Sequence, residues 1–443
     1  MHPTLYKLFR PLWSGGFDLR KNQREVEETQ WLSPEELAAY QLNKLKKLIK
    51  YAYENVPYYQ NRYKSVDIHP DDIKKLEDVQ SLPLLTKDDI NNNLQEFVTH
   101  DRAYKLVSNT TGGSTGSPMK FYMERALGWW DPALQCRGRG WYGVREGEKV
   151  AFVWGAKRDM HDWNWQEKLK AAVRQERYLN AFNMTSQKIQ AFAEMLVRWK
   201  PAMIRGYATS LELVAHYIKD HGINGIRPKL IETTAEKITI PQRNLFEEVF
   251  QCKVADWYTA REFGTVGYQC PQGSLHVCET RYLETIAHDQ VVQPGEMGEV
   301  VVTSLHQYGM PFIRYKLNDL AIIEPDLCSC GRGLPRLREI IGRSQDTLVT
   351  SDGHYIYGGY FIFIFMKQPN IARYQVYQPD RNHLEIRLLC KDTPTTEWLA
   401  QIHQEVQSRF GKEMIISVHV VDDIPLTPAG KHRFIISDVK PEI

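Results

Sequence analysis

Residues 108–118 read SNTTGGSTGSP, three glycines and six hydroxyl side chains in eleven positions. Glycine lets backbone N–H groups close on a polyanion, and Thr and Ser hydroxyls donate to phosphate oxygens, so the segment has the chemistry of a phosphate cradle. It matches neither G-x-x-x-x-G-K-[ST] nor G-x-G-x-x-G, because Ser117 and Pro118 follow Gly116. A flexible linker has the same composition; Lys120 and the apolar and aromatic residues after it set this run between ordered segments instead. A second constellation is Cys270 and His276 followed about fifty residues on by Cys328 and Cys330. Three thiolates and an imidazole are a donor set for tetrahedral Zn²⁺, and four protein ligands leave no open position, which makes such a site structural. Cys278 competes for a place in the set; Cys270, His276, Cys328 and Cys330 are the expected ligands. Cys136, Cys252 and Cys390 sit among apolar or helical residues and are expected in the core, as are Trp129, Trp130 and Trp141, with an acyl pocket as the other use of the tryptophans.

These groups need elements to hold them. SPEELAAYQLNKLKKLIKYAYE (33–54) has a capped start and apolar residues at three- and four-residue spacing, which predicts a helix ended by the proline of NVPYY. Helical periods recur in MTSQKIQAFAEMLVRWKP and SLELVAHYIKDHG, and short β-type runs (KVAFVWG, AMIRGYA, KVADWY, GEVVVTSL) sit among them. That alternation predicts an α/β domain with a parallel or mixed sheet. Beyond about residue 345 the strand-like NHLEIRLLC and MIISVHVV flank the helical TEWLAQIHQEVQSRFG, a small α+β unit. The turn-rich 342–353 segment is the expected hinge, dividing the chain into 1–343 and 344–443. FIFIF (361–365) is expected as a strand, either buried or a contact in a homodimer.

The 443 residues carry 56 Lys+Arg against 54 Asp+Glu, a net charge of +2, and 42% are hydrophobic. This is enough apolar material for more than one core, and it argues against disorder and against nucleic-acid binding driven by bulk charge. The opening residues do not read as a secretory signal, and the longest apolar stretch, Tyr355 to Met366, is too short to span a bilayer, so a cytoplasmic protein without an integral membrane segment is expected. Seven cysteines, an odd set, disfavour a disulfide framework.

The Thr/Ser/Gly loop, TTAEKI (233–238), DWYTAREFG (256–264), IRYKLNDLA (313–321), IGRSQD (341–346) and PLTPAGKHR (425–433) occur in one order. In order and spacing they resemble the adenylate-forming acyl- and aryl-CoA ligase superfamily, most nearly phenylacetate-CoA ligase and its relatives of capsular polysaccharide clusters. The resemblance covers nearly the whole chain. It implies a large N-terminal adenylate-forming domain with a small mobile α+β C-terminal lid, and ATP-dependent activation of a carboxylic acid to an acyl-adenylate. Coenzyme A is the implied acceptor; an amine or sugar acceptor in polysaccharide or secondary-metabolite biosynthesis, and a non-catalytic nucleotide-binding protein, are the alternatives. By resemblance Thr110, Thr111, Gly112, Ser114, Thr115 and Gly116 wrap the ATP phosphates, Ala235 and Glu236 hold adenine, and Tyr258 with Thr259 borders the base. Glu262 holds Mg²⁺, Asp319 takes the ribose hydroxyls, Arg343 reaches ribose or phosphate, and Lys431 serves the adenylation step.

Two positions depart from the family pattern. Arg261 stands where relatives carry a small hydroxyl residue, either to meet a second anionic group of the substrate or to form a salt bridge. Gln345 stands where an acidic hinge residue is common, with Asp346 adjacent.

Overall fold

The computed structural model describes residues 19–111, 119–124, 130–154, 165–181, 184–235, 237–343, 347–353, 355–357, 361, 364–365, 368, 370–424 and 434–439. The predicted N-terminal helix forms over Pro34–Asn55. Its start is fixed by a reciprocal cap: the Glu36 N–H donates to Ser33 Oγ at 3.2 Å, and the Ser33 N–H donates to the Glu36 carboxylate at 2.9 Å. Leu37, Leu45, Leu48, Ile49 and Ala52 bury one stripe, and Pro57 opens the next helix, Pro57–Ser65.

An antiparallel hairpin, β1 (Leu106–Thr110) and β2 (Lys120–Glu124), brackets the glycine-rich loop, its register pairing Thr110 with Lys120. A twelve-stranded sheet forms the body. Its parallel half is β3 (Val150–Trp154), β4 (Glu176–Asn180), β5 (Met203–Tyr207), β6 (Leu230–Thr234) and β7 (Lys253–Ala260), in spatial order β4-β3-β5-β6-β7. The antiparallel half is β8 (Gly264–Gln269), β9 (Leu275–Val277), β10 (Arg281–Ala287), β11 (Gln290–Val291), β12 (Met297–Ser304), β13 (Tyr315–Glu324) and β14 (Arg336–Arg343). It continues from β7 as β8-β9-β14-β13-β12-β10-β11. The sheet is therefore mixed, as the alternation of helical and strand patterns predicts.

Each half has its own packing. Helices Ser186–Trp199, Ala208–Asp220 and Ile240–Phe250 cover one face of the parallel half through Phe192, Leu196, Leu211, Val214 and Phe246 against Ile204, Ile231 and Val254. Helix Trp130–Gly140 lies on the other face, so close that a Cβ on Gly138 would come within 2.5 Å of the Tyr268 ring. The two N-terminal helices pack with Val300, Val302, Phe312 and Tyr315 of the antiparallel half.

Toward the C-terminus, β15 (Thr347–Val349) and β16 (Tyr355–Tyr357) form a hairpin. A four-stranded sheet follows, ordered β19-β18-β17-β20, from β17 (Ile371–Asp380), β18 (His383–Cys390), β19 (Ile415–Val420) and β20 (Ile435–Ser437). Helix Thr396–Phe410 supplies Ile402, Val406 and Phe410 to its core, which Leu348 and Ile356 join from the hairpin. The strand expected at FIFIF is not what forms: Phe361, Ile364 and Phe365 are helical and buried in this core. Their i, i+3, i+4 spacing presents all three to one hydrophobic cluster, and that burial overrides the β propensity of the run. It also removes these three from any surface for a second copy. No described helix is long and apolar enough to cross a membrane.

Candidate adenylation and metal sites

The candidate site gathers where β6, β7 and β13 deliver their ends. Ala235, just past β6, is left-handed at φ 67°, an uncommon conformation for alanine. Beneath it Thr234 Oγ1 donates to the Trp257 carbonyl at 3.0 Å and lies 3.3 Å from Thr259 Oγ1, which ties the β6 terminus to β7. One residue on, the Tyr258 hydroxyl donates to Asp319 Oδ2 at 2.6 Å, joining β7 to β13. Asp319 is on a strand, and Asn318 is left-handed at φ 60° within it. The β13/β14 register sets Arg343 opposite Asp319.

Glu262 occupies the tight turn from β7 to β8, where Ala260 pairs with Gly264. Gly264 has φ +70°, and a Cβ there would meet the Asp131 carboxyl at 2.8 Å, so only glycine fits. This turn buries Glu262 to 8% exposure. The Tyr315 hydroxyl donates to Glu262 Oε1 at 3.3 Å and lies 3.7 Å from Met119 Sδ. Met119 in turn closes the base of the glycine-rich loop. Its N–H donates to Thr111 Oγ1 at 2.9 Å, and its carbonyl accepts from the Thr111 N–H at 2.9 Å. Thr111, Tyr315 and Glu262 thus form one connected set, with Tyr258 and Asp319 on the same two segments.

Tyr315 is the member that motif reading missed, although it lies within IRYKLNDLA. Its period-two spacing to Asp319 was the available signal. Arg261 is exposed. Gly112, Ser114, Thr115, Gly116, Glu236, Gln345 and Lys431 lie outside the described residues, as does the side chain of Arg343.

The cysteine-histidine set is brought together. The ligand atoms of Cys270, His276, Cys328 and Cys330 all lie within 4.8 Å of one another. Cys270 follows β8, His276 is on β9, and Cys328 and Cys330 come from the β13–β14 connection. The Cys270 and Cys328 sulfurs are 3.7 Å apart, and Cys330 Sγ is 3.3 Å from His276 Nε2. Two thiolates at tetrahedral angles around zinc stand about 3.8 Å apart, so the spacing fits that ion. His276 Nδ1 lies 3.3 Å from the Leu334 carbonyl, which orients the ring with Nε2 toward the sulfurs. Burial holds His276 down to about 4, so the imidazole is a neutral donor at physiological pH, while burial pushes the Cys270 thiol up to about 11. Cys278 is not in the cluster: β9 ends at Val277, and Cys278 packs instead with Val26, Ala133 and Leu134.

The fold is that of adenylate-forming CoA ligases. Over 93% of this chain and 92% of the other, it superposes on 2-hydroxyisobutyryl-CoA ligase in the postadenylation state with 2-HIB-AMP, at a TM-score of 0.71 and 20% identity. O-succinylbenzoate coenzyme A synthetase from Bacillus subtilis, in complex with AMP, matches at 0.52 and 15% identity over 74% of this chain and 67% of that one. CapK and the phenylacetate-coenzyme A ligases are its homologues, as the motif order implies. Protein CapK of Staphylococcus aureus is 26% identical over 82% of this chain and 81% of its own length. Phenylacetate-coenzyme A ligase of Escherichia coli K12 is 25% identical over 88% and 91%. The family model for the CapK C-terminal domain matches residues 348–438.

Proposed function

We propose that the chain is an AMP-forming ligase that activates a carboxylic acid as its acyl-adenylate and passes the acyl group to coenzyme A. The observation that carries this reading is the connection of Thr111 through Met119 and Tyr315 to Glu262, beside the Tyr258–Asp319 pair, on a fold shared with adenylate-forming CoA ligases. The relatives named as phenylacetate-coenzyme A ligases support the acceptor.

In the first step a carboxylate oxygen attacks the α-phosphorus and the bond to pyrophosphate breaks. In the second, the thiolate sulfur of coenzyme A attacks the acyl carbon and AMP leaves. Both steps bring anions together, so the site's work is positioning and charge stabilisation. Thr110, Thr111, Gly112, Ser114, Thr115 and Gly116 wrap the phosphates, and Ala235, Glu236, Tyr258 and Thr259 hold the adenosine. Asp319 and Arg343 take the ribose. Glu262 is the ligand for Mg²⁺, which when bound neutralises phosphate charge. Lys431 brings a point charge to the α-phosphate and carboxylate from a lid formed by residues 344–443. Cys270, His276, Cys328 and Cys330 hold a structural zinc ion.

The match to CapK over most of the chain favours one second reading, with the same adenylation but an amine or sugar acceptor in polysaccharide biosynthesis. ATP–pyrophosphate exchange over a panel of carboxylic acids tests adenylation, and consumption of the free coenzyme A thiol tests the acceptor. Lys431→Ala is expected to abolish exchange with the fold intact. Exchange at the unsubstituted rate in that variant sinks the assigned role, and silence across the panel with ATP bound sinks the enzymatic reading.

A further inference from the structure

Glu262 reaches the site on the turn from β7 to β8, and that turn is held by a carboxylate to which none of the roles above is given. Asp131, in the first turn of helix Trp130–Gly140, accepts at Oδ1 from the Thr265 N–H at 2.7 Å and from the Thr265 hydroxyl. Its Oδ2 accepts from Gln135 Nε2 at 2.7 Å. Both oxygens are therefore engaged by protein donors, and the approach is close enough to require glycine at 264.

The Thr265 hydroxyl has its orientation fixed. It is buried, and the indole N–H of Trp257, which can only donate, points to its oxygen at 3.0 Å. The hydroxyl proton is thereby committed to Asp131. Two residues earlier in the chain, the Phe263 carbonyl accepts from Nη2 of the buried Arg281. Residues 263 and 265 are thus both fixed by charged side chains, through hydrogen bonds of the stronger, charge-assisted kind, and Glu262 immediately precedes them.

Two ties to the glycine-rich loop meet at this turn. Tyr315 links Glu262 to Met119 and so to Thr111 at the base of the loop. Helix Trp130–Gly140 supplies the other, for it begins six residues after the end of β2, the strand that leaves the loop. The contact of Asp131 with Thr265 therefore registers the carboxylate turn against the same hairpin by a second route.

We propose that Asp131, acting through Thr265, is a positioning residue that holds Glu262 where Mg²⁺ bound to ATP needs it. This rests on the adenylation reading for the role of Glu262. The carboxylate suits that role, being a hard oxygen donor connected to the base of the glycine-rich loop. Asp131 spends both its oxygens on Thr265 and Gln135, so it acts on the turn and not on the ion, as the outer partners of metal ligands do.

The test separates the hydroxyl from packing. Thr265→Val keeps the branched shape and removes the hydroxyl, whereas Thr265→Ser keeps the hydroxyl and removes the methyl. The readout is the Mg²⁺ concentration at which ATP half-maximally raises the melting temperature of the full chain with no acid present, so turnover does not enter. In Thr265→Val it is expected to rise about tenfold or more, the usual loss when an outer partner of a metal ligand is removed. Asp131→Asn, which puts an amide where both carboxylate oxygens now accept, should shift it the same way. Thr265→Ser should keep the unsubstituted value even though it melts lower for want of a buried methyl. Glu262→Gln is the reference, expected to shift the Mg²⁺ response by itself, and Thr265→Val added to it should shift the response no further. An unchanged response in Thr265→Val, an equal shift in Thr265→Ser, or an additive shift in the double variant overturns the proposal; with Glu262→Gln still effective, the adenylation reading stands. A response that Glu262→Gln leaves unchanged defeats the assignment of Glu262, and this inference with it.

Discussion

The Tyr315 hydroxyl is the contact between the loop base and the candidate metal carboxylate, and it makes the sharpest single-atom test. Tyr315→Phe removes it without changing the ring's place among Phe263 and Phe312. Exchange is expected to fall about tenfold, the worth of one hydrogen bond to a charged group, with the loss concentrated in the Mg²⁺ dependence and little change in melting temperature. A drop in stability with unchanged Mg²⁺ response would make Tyr315 a packing residue. Asp256 offers a pH test. Burial, opposed by nearby Arg243, pushes its carboxyl up from 3.8 to about 6. The folded state therefore binds the proton more tightly than the unfolded chain does. The stability tied to the neutral form is fully present below about pH 4 and is lost as pH rises through about 6. Asp256→Asn should accordingly raise the melting temperature at pH 8 and leave it unchanged near pH 4; a shift independent of pH would refute the assignment. Glu262, Asp319 and Tyr258 were legible from short motifs because their order along the chain is characteristic. The contact of Tyr315 with Glu262 was not, since only the approach of β13 to the β7–β8 turn brings the two together.

Among the elements, helix Trp130–Gly140 is the most sensitive. It delivers Asp131 to the β7–β8 turn and Arg139 to Glu232, and it reaches that depth because Gly138 sits against Tyr268. Gly138→Ala places a methyl within 2.5 Å of an aromatic ring whose hydroxyl is tied to Glu232. Destabilisation of about 1–3 kcal/mol is expected in urea unfolding, outweighing the small helix-propensity gain of alanine. A neutral or stabilising result would mean that the helix can lift without loss. Most elements were legible from periodicity, including the capped helix at 34–55 and the strand runs at 150–154, 203–207, 253–260 and 297–304. The run at 361–365 was not, because five apolar residues satisfy helix and strand periods alike, and only the location of the C-terminal core chooses between them.

For the molecule as a whole, the cysteine-histidine cluster works as a clasp between distant segments. The β13–β14 connection that carries Cys328 and Cys330 continues into Arg332 and Gly333. These donate to the Gln30 side chain at 2.9 Å and backbone at 3.1 Å, and Trp141 donates to the same Gln30 side chain at 2.9 Å. One zinc per chain is expected by elemental analysis of chelator-free protein. Its removal, or Cys328→Ser, should lower the melting temperature by several degrees or more and change the fluorescence of Trp31 and Trp141, which flank Arg332. Metal-free protein with unchanged stability would exclude the ion.

The sequence by itself determined the class of fold, the order of the motifs and the four metal-ligand candidates, because these depend on residue type, local period and spacing. Tertiary structure decided which groups meet. It joined Tyr258 to Asp319 across 61 residues and drew Cys270 to Cys328 across 58. It also assigned Cys278 to the core and set Arg205 beside a Glu232 that Arg139 and Tyr268 already hold. The physical reason is that hydrogen bonding and ion pairing act over a few ångströms, and the strand order that brings those atoms within range is a property of the whole sheet.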